Sequence, residues 1–104
     1  MDNLIQDLQR TIVSLEKLAE APATASEQLD EILDQLFQQK TDLNKVKLVP
    51  AMQQYQQALQ AVRQASGKAD RAVKDASKLG EMIPVVNAAI TKLARLLDHI
   101  APID

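Results

Sequence analysis

The first candidates for chemistry are four carboxylates that lie close together in the chain: Glu27, Asp30, Glu31 and Asp34. Their spacings of 3, 1 and 3 residues place them on one face of a helix, where they could bind a hard cation or serve acid–base catalysis. Helical di-metal sites, however, use Glu-x-x-His pairs that face the core, and the chain has no such pair. Negative charge near the start of a helix is also favoured by the helix dipole. We therefore interpret the cluster as a solvated face and predict no metal site.

The only histidine of the chain, His99, is the next candidate. Helical periodicity turns it about 100° away from Ile100 and towards Lys92 and Arg95, outside the apolar stripe of its helix. The chain has no Cys, and no Ser lies in a recognisable nucleophile motif. A phosphorelay histidine is conceivable, but no supporting residue pattern accompanies it. We therefore predict no catalytic residue, no cofactor and no enzymatic activity.

A second charged cluster is basic, and we call it the basic ridge: Lys68, Arg71, Lys74 and Lys78. A row of cations on a helix could contact phosphates and release their counterions. Three features argue against binding to nucleic acid. Asp75 interrupts the ridge, no aromatic platform accompanies it, and the chain has a net charge of −2. We favour the alternative, a solvated face that is attracted to acidic neighbours, on the edges of helix 2 or on another subunit. We expect it not to bind nucleic acid.

The composition indicates that helices must position these residues. A chain of 104 residues is expected to form a single domain over residues 1–104. Aromatic residues make up only 2% of it, namely Phe37 and Tyr55, and there are two glycines. Sheet proteins depend on aromatic and β-branched residues and on glycine-rich turns, so both shortages favour an all-α fold. The absence of Cys excludes disulfides and zinc–thiolate sites.

The chain carries no segment typical of secretion or membrane insertion. Its first residues lack a basic segment followed by an apolar run, and the longest uncharged stretch near the apolar end, 82–91, is about half a membrane span. We therefore expect a soluble, cytoplasmic protein without a transmembrane segment.

Charge is segregated along the sequence. Residues 1–44 hold nine acidic and three basic residues, whereas residues 45–79 hold seven basic and two acidic residues. The remaining segment, 80–104, is nearly balanced. A segregation of this kind needs a physical explanation, because it places opposite charges on different elements.

Two helices are predicted in the first half of the chain. Helix 1 should run from about Asp2 to Ala19, with Asp2 or Asn3 as its cap, and Val13 falls off its apolar stripe. Thr24 and Glu27 have the spacing of a capping box for helix 2, which should end near Val46 or Leu48. The apolar residues that helix 2 should bury are Leu29, Ile32, Leu33, Leu36, Phe37, Leu43 and Val46.

Helix 3 is predicted to be the longest, over about Ala51–Leu79. Its apolar and small residues recur at gaps of 3 and 4, a heptad pattern typical of coiled-coil packing, at Met52, Tyr55, Leu59, Val62, Ser66, Ala69, Val73, Ala76 and Gly80. We call this set the predicted seam; its small second half indicates close approach to another helix. Gly67 costs about 1 kcal/mol inside a helix, so a kink or break at Ser66–Gly67 is an alternative.

Helix 4 should follow a C-terminal cap at Gly80, with Pro84 in its first turn, and should stop before Pro102. The predicted core residues of the whole chain are Leu8, Leu15, Leu33, Leu36, Leu59, Val62, Ile90, Leu93 and Leu97. Together these elements predict an antiparallel bundle of about four helices, the third longest.

The function predicted from these patterns is a non-enzymatic interaction module that binds protein and associates with itself. Over Ala51–Leu79, helix 3 would be about 43 Å long against about 27–33 Å for the others, so part of its seam should lie open to a second chain. A closed homodimer is the commonest solution. The candidate interface residues are Met52, Tyr55, Leu59, Val62, Ala69, Val73 and Ala76. The alternatives are a nucleic-acid accessory protein that uses the basic ridge, and an amphipathic protein that coats a lipid or polymer surface.

Overall fold

A computed structural model describes residues 3–100 of the chain. Of this part, 81% is helical, far above the one-third that is usual for globular proteins. The predicted all-α bundle of about four helices is therefore confirmed. The four helices and the 3-10 turn between the last two are α1 (Leu4–Glu20), α2 (Glu27–Leu43), α3 (Gln53–Lys74), the turn Ala76–Lys78, and α4 (Leu79–Asp98). With 22 residues, α3 is the longest, as predicted.

The first two helices begin at side-chain caps. Asn3 accepts a hydrogen bond from the backbone N–H of Gln6 at 2.8 Å, which confirms the cap of α1; Asp2, the other candidate, lies outside the described residues. The cap of α2 is Ser26, and the predicted capping box at Thr24 is wrong. The Thr24 side chain is buried and donates to the carbonyl of Leu18 at 2.6 Å. It thereby satisfies one of the carbonyls that the end of α1 leaves without a partner.

The ends of the later helices differ from prediction. The predicted end of helix 2 is wrong, since α2 stops at Leu43. The predicted end of helix 3 is also wrong, because α3 stops at Lys74. The Asp75 side chain accepts from the Ser77 N–H at 3.1 Å and from its hydroxyl at 2.7 Å, and this local turn competes with continued helix. Gly80 is consequently not a cap but lies in the first turn of α4, and Pro84 lies inside that helix.

The helices form a ring in which consecutive elements are not always neighbours. α1 packs against α2 and α3, and α4 packs against α3 and α2. Within the described part of the chain, α2 and α3 do not pack against each other, nor do α1 and α4. These two pairs are therefore diagonals of the bundle, and the connection 44–52 crosses from one corner to the opposite one.

Hydrogen bonds between α1 and α3 establish their direction. Asp7 pairs with Arg63, and Ser14 pairs with Asp70, each across 56 residues. Equal separations mean that α1 and α3 run in the same direction. α2 follows α1, and α4 follows α3, through short connections. Consecutive helices therefore alternate in direction, as an antiparallel bundle requires, while the neighbours α1 and α3 are parallel.

The core largely agrees with prediction. Seven of the nine predicted core residues are buried, and Ile90 and Leu97 are partly buried against them. Val13 is 40% exposed, as its place off the stripe predicted. The predicted burial of Phe37 is wrong, because its side chain is 42% exposed. Pro102, the predicted stop of helix 4, lies outside the described residues.

The buried seam of α3 shares only one column with the predicted seam. The buried positions at gaps of 3 and 4 are Tyr55, Ala58, Val62, Ala65, Ala69 and Ala72, with Leu59 beside them. Arg63 and Asp70 bond to α1 and lie on one side of the Tyr55–Val62–Ala69 column. The alanine column on its other side, Ala58, Ala65 and Ala72, therefore faces α4. Small residues of α3 thus line its contact with α4, the most extensive helix pair among residues 3–100. α3 continues without a break through Ser66–Gly67.

Candidate protein-binding faces

The four clustered carboxylates all lie on the outward side of α2. Glu27, Asp30, Glu31 and Asp34 are exposed, and α2 as a whole carries five carboxylates and one cation, Lys40. The ammonium of Lys40 is directed away from these carboxylates, because it donates to Gln9 of α1. We call the four clustered residues the acidic face. Among residues 3–100, no group of three or more His, Cys, Asp or Glu side chains is arranged to hold a metal ion.

His99 lies at the C-terminal cap of α4 and is exposed. Its ring Nδ1 lies 2.8 Å from the carbonyl oxygen of Arg95, one turn earlier in the same helix. The imidazole is therefore engaged locally, and the structure brings it together with neither charged cluster.

Most of the candidate interface residues of the predicted seam are part of the core. Tyr55, Leu59, Val62 and Ala69 are buried, and Met52 is partly buried against them. The Tyr55 hydroxyl accepts a hydrogen bond from the backbone N–H of Leu4 at 3.1 Å. The four buried residues therefore make their contacts within one chain, while Met52 remains partly exposed.

Among the candidate interface residues of the predicted seam, Val73 and Ala76 are exposed. Both line a depression of about 310 Å³ where the loop 21–26 meets the end of α3. The expected length of helix 3 is wrong, because α3 has 22 residues. It nearly matches its neighbour α4, which has 20, but still exceeds its neighbour α1, which has 17.

The outward side of α3 carries the basic ridge together with Arg63. Arg71 and Lys74 are exposed and Lys68 is half-buried, while Lys78 lies beyond the helix in the 3-10 turn. The only carboxylate of α3, Asp70, accepts a hydrogen bond from the Ser14 hydroxyl at 2.6 Å. This bond directs Asp70 towards α1 and away from the ridge. We call the cations of the helix the basic face: Arg63, Lys68, Arg71 and Lys74.

A bridge to α1 anchors one end of the basic face. The guanidinium Nε of Arg63 lies 3.1 Å from a carboxylate oxygen of Asp7. Asp7 is itself buried, and Arg10 approaches its other oxygen to 4.0 Å. Arg63 is thereby fixed along the α1–α3 groove, while the other three cations of the face point outward.

The two faces lie on opposite sides of the bundle and at the same end. Because α2 and α3 are diagonal, their outward sides point in opposite directions. The loop 21–26, which precedes the acidic face, borders the last turn of α3. The acidic face occupies the first half of α2 and the basic face the second half of α3, so both lie near that end. Opposite charges are thus separated across the width of the molecule.

A depression interrupts the basic face at Gly67. It has a volume of about 230 Å³ and is lined by Arg63, Gln64, Gly67, Lys68 and Arg71. Gly67 is exposed, and a Cβ built there would meet nothing within 4 Å. A larger depression of about 420 Å³ continues along the glutamines of the first half of α3. The outward side of α3 is therefore a shallow groove with an uncharged half and a basic half.

Phe37 is the functional candidate that sequence reasoning missed. It follows the acidic face by one turn and is exposed on α2. Its position next to Leu36 made it look like a core residue, but it lies about 100° away around the helix. The signal available in the sequence was its place between the apolar stripe and the carboxylates.

Comparisons with protein-family models, with curated proteins and with solved structures find no match to this chain. None of the helices formed by residues 3–100 combines the length and the apolar character that crossing a bilayer requires.

Proposed function

We propose that the protein is a non-enzymatic interaction module whose outer helix faces bind protein, and that the partner is a second copy of the same chain. The observation that carries this proposal is the separation of an acidic face on α2 from a basic face on α3, on opposite sides of one bundle. Complementary potentials of this kind steer encounters and select a register between partners.

Arg63 of the basic face pairs with Asp7 of its own bundle, so an acidic partner for Lys68, Arg71 and Lys74 would come from outside the bundle. Two neighbours were conceivable from the sequence, the edges of helix 2 and another subunit. The diagonal placement of α2 removes the first, since α2 and α3 do not pack together within residues 3–100. The four exposed carboxylates of a second molecule are opposite in charge and equal in number to the four cations, which supports the subunit alternative.

The contact surface proposed here differs from the predicted seam. Tyr55, Leu59, Val62 and Ala69 of that seam are buried within one chain, so self-association would use the outward side of α3 instead. Exposed ion pairs are individually weak, about 0.2–1 kcal/mol each, and several together are needed to matter. The association should therefore be modest in affinity and sensitive to salt.

Solution mass measured by light scattering tests the proposal. At about 20 mM salt the mass should rise with protein concentration above the 11.5 kDa of one chain, because the Debye length there is about 20 Å. At about 500 mM salt, where screening acts within about 4 Å, it should return to that of one chain. As a control, Arg95→Glu reverses a charge on the outward side of α4, away from both charged faces, and should leave the association intact. A mass of one chain at every concentration and salt would refute the proposal.

The basic face also supports a second candidate function, contact with nucleic acid. Lys68 and Arg71 line a depression on the outward side of α3, and Lys74 is exposed one turn further along, which is a small footprint for phosphate contacts. Its single accompanying aromatic residue on α3, Tyr55, is buried and cannot stack on a base. An electrophoretic mobility shift at about 50 mM salt that disappears by about 200 mM would support this function. We expect no shift at either concentration.

A further inference from the structure

Gly67 has no role within the described part of the bundle that explains it. It lies in the middle of the longest helix, where glycine is less favourable than alanine. No glycine among residues 3–100 has a positive φ, and a Cβ at Gly67 would touch nothing within 4 Å. A glycine at such a position is explained when another molecule approaches the bare backbone closely.

We infer that copies of the protein join head to tail, with the basic face of one copy on the acidic face of the next and Phe37 of the second copy seated at Gly67 of the first. This inference rests on the proposed self-association and specifies its surfaces. It assigns one occupant, a second copy of this chain, to the depression at Gly67.

The directions of the helices allow this arrangement without any rotation of the copies. α2 and α3 run in opposite directions, and their charged faces lie near the same end of the bundle. The molecule measures 43 × 22 × 20 Å, so a sideways shift of about one bundle width brings α3 of one copy alongside α2 of the next. The two helices then meet as an antiparallel pair, with the charged halves side by side.

The spacing of the charges matches in that antiparallel pair. If Glu27 is placed opposite Lys74, then Asp30 lies opposite Arg71, since both residues are 3 positions further along. Continuing in the same register brings Asp34 to within one residue of Lys68. Each step of three or four residues is one helical turn, so three successive turns each present one carboxylate to one cation.

The same register brings Phe37 to the depression. In that register Phe37 lies opposite Gln64 of the neighbouring copy, one helical turn from Gly67, and both Gln64 and Gly67 line the 230 Å³ depression. Both features also lie on the side of their helices that faces α1, because Lys40 and Arg63 mark that side by their bonds to α1. A phenyl ring that is 42% exposed would thus be covered by bare backbone and by side-chain stems.

The arrangement does not close on itself. Each copy that uses its basic face leaves its acidic face free, so the contact is heterologous and extends to a chain of copies. A two-fold contact between two α3 faces would instead bring Arg63 and Lys68 close to their own equivalents around the middle of the helix. Like charges in such positions are unfavourable, which disfavours the symmetric alternative.

Charge reversal on either face tests the inference, with sedimentation velocity at low salt as the measurement. One variant carries Asp30→Lys, Glu31→Lys and Asp34→Lys; the other carries Lys68→Glu, Arg71→Glu and Lys74→Glu. Each variant alone should sediment as one chain, with helicity retained by circular dichroism, because both of its faces now have the same sign. An equimolar mixture of the two should associate again.

The outcomes separate this inference from the proposed function. A wild-type protein that stays a single chain refutes the proposed function and the inference with it. Association that survives reversal of the acidic face but not of the basic face refutes the inference alone, and leaves α3 as the contact surface. Failure of the mixture to associate, when the wild type does, also overturns the head-to-tail arrangement.

The contact of Phe37 with Gly67 has its own test. Phe37→Ala and Gly67→Leu should each weaken association on the order of tenfold, which is the scale of losing one buried apolar contact. Val13→Ala is the matched control for the first, because Val13 is exposed to nearly the same degree, 40%. Gly80→Leu is the control for the second, since a Cβ there also meets nothing within 4 Å. Unchanged association in both test variants would overturn the contact.

Discussion

Replacing Gly67 with alanine should stabilise the isolated bundle. Gly67 lies inside α3, well away from both ends of the helix, and its backbone is not in the left-handed region. Alanine therefore fits without strain, and the added methyl group meets nothing within 4 Å. The substitution changes only the helix propensity and the conformational freedom of the unfolded chain.

The expected gain follows from these observations. Glycine is less favourable than alanine in a helix interior by about 0.8–1.0 kcal/mol, and nothing at this site opposes the exchange. For a domain of about this size, 1 kcal/mol raises the melting temperature by about 4–8 °C. In urea the midpoint should move up by about 0.5 M, given a slope of about 2 kcal/mol per M.

Thermal and urea unfolding at about 500 mM salt are suitable assays, because self-association would otherwise add to the apparent stability. Gly80→Ala is the matched control; it lies in the first turn of α4, where helix propensity counts less, and should gain less than Gly67→Ala. An unchanged or lower stability of Gly67→Ala would refute the reasoning, since it would mean that Gly67 has a partner or a strained backbone within the bundle.

Three further predictions concern the bundle itself. Leu93 is fully buried, so Leu93→Ala should lower the free energy of unfolding by about 2–5 kcal/mol in urea titrations; a loss below about 1 kcal/mol would place it outside the core. Tyr55→Phe removes the acceptor for the N–H of Leu4 and should cost about 0.5–1.5 kcal/mol in the same assay. Hydrogen bonds from the side chain and backbone of Ser77 hold the pKa of Asp75 below its ordinary value, so any stability from them is present at neutral pH and is lost as the pH falls through that lowered pKa. Ser77→Ala should raise the Asp75 midpoint in an NMR titration, and an unmoved midpoint would contradict this cause.

The helices were predictable because burial imposes a periodic pattern on the sequence. The apolar stripes of α1 and α4 predicted their positions, and residue type alone narrowed the cap of α1 to Asp2 or Asn3, of which Asn3 is the cap. The end of α3 was not predictable in this way. The turn at Asp75 depends on two short hydrogen bonds to Ser77, and a continued heptad pattern across that turn concealed it.

The buried side of α3 shows a second limit. Two heptad patterns share the column of Tyr55, Val62 and Ala69, and the sequence contains both of them. The choice between them depends on where α1 and α4 lie around α3. Long-range contacts such as the hydrogen bond of Arg63 to Asp7 mark that placement. The prediction chose the column with the larger side chains. The structure buries the column of alanines instead, because small side chains let a neighbouring helix approach.

The candidate faces were predictable only as separate clusters. The carboxylates of α2 and the cations of α3 were evident from residue type and spacing, whereas their placement on opposite sides depends on the diagonal connection 44–52. Nothing in the local sequence encodes that connection. The exposure of Phe37 was missed for a related reason. Whether a residue at the border of an apolar stripe is buried depends on where the neighbouring helix lies.

Disulfide trapping tests the head-to-tail contact most directly. The chain has no cysteine, so Asp30→Cys and Arg71→Cys in one chain introduce the only two thiols. They lie on opposite sides of the bundle and cannot pair within one molecule. Under mild oxidation at low salt, a non-reducing gel should show a ladder of dimers, trimers and higher multiples, while each single-cysteine variant stays mainly monomeric. Monomers alone from the double variant, or dimers of Arg71→Cys as abundant as the ladder, would contradict the head-to-tail account.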